Sequence, residues 1–449
     1  MNVVIIAIDS LRADHLGCYD YAKNTSPHID ALAKESMVFE RAFAAGIPTM
    51  PSFTTMLSGL HPYRHGITAH SSEQRLSEDI VLLPQLAQRA GAVTIGIDNL
   101  SVQSSGRGSW FSRGFDFHSG FLYQPFSDQS AQLVGRALRF LEDYREKPFL
   151  LYLHLWDPHS PYGPPPPYDT LHYAESTPDA KTKLKEAVSV APEYYEAFLD
   201  DMKLKVRDDY DYIVAQYDGE ISYCDAQIGR ITQRLKELDL WDDTIVLLMS
   251  DHGECFGEGG VHFDHHGLYD AVTRVALMCH LPGQNAGRTD AMITTEDILP
   301  TLAELAGWPL PEYSLTGQSF AQALRGEPFA GRDFVVGIES TRQASICLRT
   351  DRWKLIQPIT HKPNGEVIPD IYGRPREDRV LLFSLENDPA ENDNVSDKYP
   401  EVRDQLQKQL YDWRAAEVAR RGDDPLQEYG LSLAYDEFMG RLSTRSLRG

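Results

Sequence analysis

The run Ser250-Asp251-His252-Gly253-Glu254 follows directly on the apolar stretch Ile245-Val246-Leu247-Leu248-Met249. A buried strand that ends by presenting an aspartate and a histidine on a glycine turn constrains the fold strongly. In an open parallel sheet, ligands sit at the carboxyl ends of the strands. An adjacent carboxylate and imidazole there both reach one divalent cation. The first strand repeats the layout, because Val3-Val4-Ile5-Ile6-Ala7-Ile8 runs straight into Asp9-Ser10-Leu11-Arg12. Two buried strands, each ending in a candidate metal ligand, predict one metallohydrolase site assembled from distant segments.

Short apolar strands alternate with amphipathic helical stretches along most of the chain. That pattern predicts an α/β fold with a large, mostly parallel sheet covered by helices on both faces. Strands are expected at 3–8, 92–97, 148–155, 244–249 and 275–280. Helices are expected at 28–36, 51–58, 81–90, 128–145, 211–239, 296–306 and 401–420, with Pro51 in the first turn of its helix. Pro161-Tyr162-Gly163-Pro164-Pro165-Pro166-Pro167-Tyr168 is a rigid exit from the 148–155 strand. It leads to a charged, tyrosine-rich helical insertion at about 165–210. Beyond residue 340, Ser345-Ile346-Cys347-Leu348-Arg349, Trp353-Lys354-Leu355-Ile356 and Val380-Leu381-Leu382-Phe383 read as short antiparallel strands followed by one helix. The expected division is a catalytic domain over 1–340, a C-terminal antiparallel sheet-plus-helix subdomain over 341–425, and a polar tail or oligomerisation arm over 426–449.

The charge balance narrows the partners. With 43 basic and 66 acidic residues among 449, the net charge is -23. Such a chain is not expected to bind nucleic acid or an anionic membrane. An anionic substrate remains compatible, since a bound metal inverts the local field. No apolar run approaches the roughly 18 residues that span a bilayer. The short first apolar stretch lacks a basic start, so no signal peptide is read. Five cysteines (Cys18, Cys224, Cys255, Cys279, Cys347) form no CxxC and read as free thiols, and the expected location is the cytoplasm.

Many segments, in order, resemble the sulfatase branch of the alkaline phosphatase superfamily. They are Asp9-Ser10-Leu11-Arg12, Ser26-Pro27-His28-Ile29-Asp30-Ala31-Leu32-Ala33 and Leu57-Ser58-Gly59-Leu60-His61-Pro62-Tyr63-Arg64-His65-Gly66. Gly114-Phe115-Asp116, Asp157-Pro158-His159-Ser160-Pro161-Tyr162, Asp225-Ala226-Gln227-Ile228-Gly229-Arg230 and the Ser-Asp-His-Gly-Glu run also match. Trp353-Lys354-Leu355-Ile356 and Glu386-Asn387-Asp388-Pro389-Ala390-Glu391-Asn392 extend the likeness into the C-terminal part. The resemblance implies an alkaline phosphatase-like fold and an ester hydrolase.

The departures from that family are informative. Sulfatases use a cysteine converted to formylglycine in a Cys-x-Pro-x-Arg frame. The matching run here is Thr49-Met50-Pro51-Ser52-Phe53, and none of the five cysteines has Pro at +2 and Arg at +4. No formylglycine is therefore expected. Asn99 falls where a sulfate-binding lysine is expected, His265 falls where a second is expected, and Ser10 replaces an aspartate. Phosphoethanolamine transferases, nucleotide pyrophosphatases and phosphodiesterases of the same superfamily resemble this chain in having a threonine nucleophile, and many carry two metals. His159 and one of His262, His265 or His266 match the second-metal positions of the phosphoethanolamine transferases. Asn99 resembles the asparagine that holds a phosphoryl oxygen in nucleotide pyrophosphatases.

These residues have assignable chemistry. Asp9, Asp251, His252 and the Thr49 oxygen are the expected ligands of one divalent cation. Coordination activates a threonine hydroxyl that is otherwise a poor nucleophile, and a helix N-terminus adds partial positive charge. Thr49 is expected to attack in line and form a phospho-threonine that water cleaves. His159, His265 and His262 are candidates for a second metal, with His159, His265, Asn99 and Arg12 as candidate substrate contacts. Arg12 equally suits a cap or ion pair on the first helix. Glu254 and Glu258 are candidates for orienting the histidines. Zinc or manganese suits imidazole plus carboxylate, with magnesium, calcium or iron as alternatives.

The expected function is a metal-dependent hydrolase of a small phosphodiester, phosphonate monoester or phosphomonoester. The first alternative is a sulfatase that works without formylglycine; the second is a phosphoryl-group transferase. The tail is a candidate arm for a homo-oligomer.

Overall fold

The computed structural model describes residues 1–70, 74–98, 109–120, 129–190, 192–202, 204–206, 208–340, 343–369 and 376–429. Asn99 and most of the expected tail lie outside the described residues.

The main sheet has eight strands, in the spatial order Gly287–Thr289, Met37–Phe39, Leu277–His280, Thr244–Ser250, Asn2–Ile8, Phe149–Leu155, Val93–Ile97 and Phe117–Ser119. Leu277–His280 alone runs against its neighbours; the rest are parallel. The sheet is therefore mixed and mostly parallel, as the alternating pattern predicts. The three central strands are buried along their whole length.

Their alternating side chains build two cores. Val3, Ile5 and Ala7 face one way, with Met50, Phe53 and Leu57 of the Thr49–Ser58 helix. Val4, Ile6 and Ile8 face the other way, with Ile213, Tyr217, Ile221 and Ile228 of the Tyr210–Glu237 helix. At about 1.5–3 kcal/mol for each large apolar side chain buried, these two layers supply most of the drive to fold. The 165–210 region contributes helices Ala180–Val190 and Pro192–Asp201, whose Leu184, Phe198 and Leu199 join the second core.

A second sheet runs in the order Leu381–Ser384, Trp353–Pro358, Ser345–Thr350, Phe334–Glu339 and Gly46–Ile47. The first four strands are antiparallel. The Pro400–Arg421 helix packs on them through Leu406 and Leu410. Two features were not expected. The sheet starts at Phe334, before residue 341, and it takes its last strand from Gly46–Ile47, two residues ahead of Thr49. That approach requires glycine, because a Cβ at Gly46 meets Pro62 Cγ at 2.7 Å and Pro51 Cβ at 3.1 Å. All five cysteines are free. Among the described residues, no helix is long and apolar enough to cross a membrane.

Candidate active site and metal centre

Strand register assembles the site. Ile8 pairs with Ser250 on one side and Leu155 on the other, so Asp9 and Asp251 leave the sheet at the same level. Ala7 lies opposite both Met249 and His154. With a side-chain period of two, Asp9, Asp251 and His154 share the face covered by the Thr49–Ser58 helix. These three residues and Thr49 are sealed from solvent at 0–1% exposure.

The turn after Ser250 is held by backbone contacts. Gly253 N–H donates to Val272 O at 2.8 Å, and a Cβ at Gly253 lands 2.0 Å from Ala271 O. Asp251 Oδ1 accepts the Ser10 and His252 amides at 3.1 and 2.8 Å. Ser52 Oγ donates to Asp251 O at 2.7 Å, tying the nucleophile helix to the same turn.

The Thr49 hydroxyl then lies 3.2 Å from His252 Nε2 and 3.4 Å from Asp9 Oδ2. His252 Nδ1 lies 2.9 Å from Gly253 O, which makes Nδ1 the protonated nitrogen and turns the Nε2 lone pair toward Thr49. One donor atom each from Asp9, Asp251 and His252 lies within 4.8 Å of the others. This set fits a divalent cation. Asp251 Oδ2 is buried with no hydrogen-bond partner, although it lies 3.3 Å from His252 Nε2.

The charges support the same reading. Burial and the neighbouring Asp9 charge push the Asp251 carboxyl well up. Burial also works to raise Asp9, but interaction with His159, His154 and His252, including the hydrogen bond with His154, outweighs it and holds Asp9 below the usual range. Two carboxylates in one dry site cannot both ionise cheaply without a cation between them. Burial lowers His252 and keeps it neutral, the form that ligates a metal.

The other candidates fall in several places. His265 stacks on His252 with ring centroids 4.7 Å apart, and His159 lies 5.1 Å from His265. These three histidines are brought together. His262 points elsewhere, its Nδ1 3.0 Å from the Tyr210 hydroxyl. Arg12 commits its guanidinium to Asp14 at 2.7 Å, Glu258 at 2.8 Å and Glu254 O at 3.0 Å, so it serves as an ion-paired strut. Glu258 is accordingly engaged by Arg12 and not by a histidine. Asp157 accepts from Ser130.

Sequence reasoning missed His154. Its Nε2 lies 3.4 Å from Asp9 Oδ2 and its Nδ1 2.9 Å from Asp98 Oδ1. Burial opposes its charge, but hydrogen bonds to Asp9 and Asp98 carry it up to about 9. The available signal was a lone histidine inside the apolar run Phe149–Leu155. Asp264 was also missed, and it joins Glu254 and His265 in a second group of donors within 4.8 Å of one another.

Comparisons with known proteins identify the family and the fold. A family model described as Sulfatase matches residues 1–308, and one described as N-sulphoglucosamine sulphohydrolase, C-terminal, matches residues 257–416. Iduronate 2-sulfatase of Mus musculus is 26% identical over an alignment covering 69% of each chain. Among solved structures, the phosphonate monoester hydrolase of Agrobacterium radiobacter superposes with a TM-score of 0.75 at 22% identity, covering 93% of this chain and 96% of that one. A 2-O GAG sulfatase superposes with a TM-score of 0.71 at 22% identity, covering 94% and 93%. At these identities the two superpositions speak for the fold.

Proposed function

The chain belongs to the sulfatase family, and from that premise we propose that it hydrolyses a sulfuric ester with Thr49 as an unmodified nucleophile. The observation that carries this reading is the Thr49 hydroxyl, 3.2 Å from His252 Nε2 and 3.4 Å from Asp9 Oδ2 at the start of a helix. Asp9, Asp251 and His252 would hold one divalent cation. When bound, the cation supplies positive charge that lowers the proton affinity of the hydroxyl and balances charge on the ester oxygens.

The residues divide the remaining work. Thr49 Oγ1 gives up its proton and forms a bond to the central atom while the bond to the leaving alcohol oxygen breaks, and the proton released by Thr49 balances the one that the alcohol takes up. The alcohol takes up a proton and departs, and water then cleaves the threonine ester. Gly253 O fixes the His252 ring, Ser10 N–H and His252 N–H fix Asp251, and His154 faces Asp9. His159 and His265 border the site and are suited to contact the anionic ester.

The relatives weigh toward sulfuric esters, in contrast with the phosphorus-ester expectation drawn from the missing lysines and formylglycine frame. Iduronate 2-sulfatase acts, by its name, on a sulfate ester. One observation favours phosphorus esters as a second reading. Thr49 carries no aldehyde hydrate that could expel sulfate by carbon–oxygen cleavage, so its ester must be displaced by water, a route common to phosphoryl transfer. The side chains that face Asp9 are also histidines, namely His159, His154 and His252, and not lysines.

One assay separates the readings. Metal-loaded wild type and Thr49→Ala are compared on p-nitrophenyl sulfate, bis(p-nitrophenyl) phosphate, p-nitrophenyl phosphate and p-nitrophenyl phenylphosphonate. Dominant sulfate turnover, lost in Thr49→Ala, supports the sulfatase reading. Dominant turnover of a phosphorus ester, also lost in the variant, selects the second reading. Unchanged turnover in Thr49→Ala removes Thr49 as the nucleophile.

A further inference from the structure

We infer that Arg376, carried by the C-terminal subdomain, binds a second oxyanion on the alcohol portion of the ester, such as a carboxylate, so that the enzyme selects esters whose leaving alcohol is itself negatively charged. The inference rests on the ester-hydrolase reading of the Thr49 site and adds to it a specificity-determining residue.

The second sheet brings Arg376 to the site. Ile47 pairs with Glu339, and Glu339 pairs with Ser345, so the three form one row at the end of that sheet. Thr49 follows Ile47 by two residues. At about 4.8 Å between neighbouring strands, Ser345 lies roughly 10 Å from the strand that leads into the nucleophile. Arg376 Nη1 donates to Ala344 O at 2.6 Å, and its Nη2 donates to Ser345 Oγ at 3.0 Å. The guanidinium is therefore pinned to the end of the sheet from which the chain continues to Thr49.

The same end of the sheet holds the histidine-bearing segment. Glu339 Oε2 accepts the Gly267 amide at 2.7 Å and the Gln343 side-chain amide at 3.1 Å. Gly267 follows His265 and His266, and the His265 ring stacks on that of the cation ligand His252 at 4.7 Å. Burial raises the Glu339 carboxyl and the Tyr269 phenol, and the charge of Arg376 works against burial at both. Arg376 thus faces the corner formed by Glu339, Gly267 and Tyr269. Glu339 is 1% exposed, whereas Arg376 and Gln343 are half-buried and reach solvent at the rim. Ser340 Oγ donates to Thr68 O at 2.9 Å, which fixes this end of the sheet to the segment after the nucleophile helix.

The chemistry of a guanidinium at this place selects an oxyanion. Its planar fork matches a carboxylate in two parallel hydrogen bonds. Arg12 does not serve here, because Asp14 and Glu258 hold it. The chain carries a net charge of -23, so a doubly charged ester needs a fixed local cation to offset repulsion as it approaches. The reacting group is met at the Thr49 end, and the second charge falls to Arg376.

The test compares a neutral with a charged leaving group. Metal-loaded wild type, Arg376→Gln and Arg376→Lys are assayed on p-nitrophenyl sulfate, 3-carboxy-4-nitrophenyl sulfate and the two corresponding phosphates. The quantity read is the ratio of kcat/KM for the carboxylated ester to that for the plain one, and comparing ratios between proteins cancels the different reactivity of the two phenols. Arg376→Gln should lower the ratio about 10–100-fold, chiefly through KM of the carboxylated ester, and Arg376→Lys should recover part of it. A purely structural role would lower both esters alike, so an unchanged ratio in Arg376→Gln overturns the proposal. Should Arg376→Gln misfold, or no ester be turned over, wild-type crystals soaked with 3-carboxy-4-nitrophenol decide. A carboxylate seated on Arg376 supports the site; a carboxylate elsewhere, or no bound phenol, overturns it. A seated carboxylate without turnover of any ester counts against the proposed reaction and not against this site.

Discussion

His154 Nε2 lies 3.4 Å from Oδ2 of Asp9, inside a strand that is otherwise apolar. Its other nitrogen, 2.9 Å from Asp98 Oδ1, fixes the ring, so Asp98, His154 and Asp9 form a buried chain running toward the cation site. Outer-shell partners of this kind typically govern metal affinity by 10–100-fold. Asp98→Asn preserves side-chain volume and removes the charge that orients His154. Its expected effect is cation binding at the first site weakened by about that factor, read by Mn2+ titration. Wild-type affinity in the variant would assign the chain a packing role only.

Much of this arrangement was legible in the sequence, and the parts that were not share a cause. The strands ending at Ile8 and Ser250 were readable because each is an apolar run that stops at an acid. Their common level at the sheet edge follows once they pair in register. His154 was not readable, because its direction depends on its pairing with Ala7, which no local pattern encodes. Asp264 was hidden for a similar reason: a shift in a two-strand ribbon decides which of three nearby histidines joins it. Gly46–Ile47 is too short to announce a strand, and the residues it pairs with, Ile338 and Glu339, lie far away in sequence.

Metal removal carries a thermodynamic consequence as well as loss of activity. Without a cation, Asp251 is a buried acid pushed up by burial and by Asp9. A cation at a concentration 100 times its Kd should stabilise the fold by about 2.7 kcal/mol, seen as a higher Tm. Asp251→Asn removes both the ligand and the repulsion. Its metal-free form should melt no lower than metal-free wild type, and added Mn2+ should leave its Tm almost unchanged. A cation-induced rise equal to that of wild type would show that Asp251 is not a ligand.

Gly253 is required by contact and not by backbone twist. A Cβ added there sits 2.0 Å from Ala271 O, and the residue's own amide donates to Val272 O at 2.8 Å. Neither neighbour is a flexible side-chain end. Gly253→Ala should therefore force the Asp251–His252 turn away from Ala271, at a cost of about 3 kcal/mol. Urea unfolding measures the cost. Metal affinity should fall with it, because both ligands sit on the displaced turn. A variant as stable as wild type would mean that the turn relaxes freely.

His61 links the nucleophile segment to the second sheet and sets an acid limit on stability. It is 3% exposed, its Nδ1 accepts the Tyr63 amide at 3.2 Å, and its Nε2 donates to Val336 O at 3.1 Å. Both nitrogens are satisfied only in the neutral ring. Burial lowers its pKa from 6.5 to about 4, against a smaller raising effect of the Val336 carbonyl. The folded value lies below the unfolded one, so the stabilisation is present above pH 6.5 and is lost as pH falls toward 4. A shift of that size corresponds to about 3 kcal/mol. His61→Asn keeps an acceptor for the Tyr63 amide and has no titration in this range. The variant should be less stable than wild type at pH 7, through loss of the Val336 bond and of the ring contact with Trp413 at 4.8 Å. It should also lose about 3 kcal/mol less than wild type between pH 7 and pH 4. Urea unfolding at a series of pH values measures both. Parallel curves for the two proteins would show that His61 does not carry the acid sensitivity.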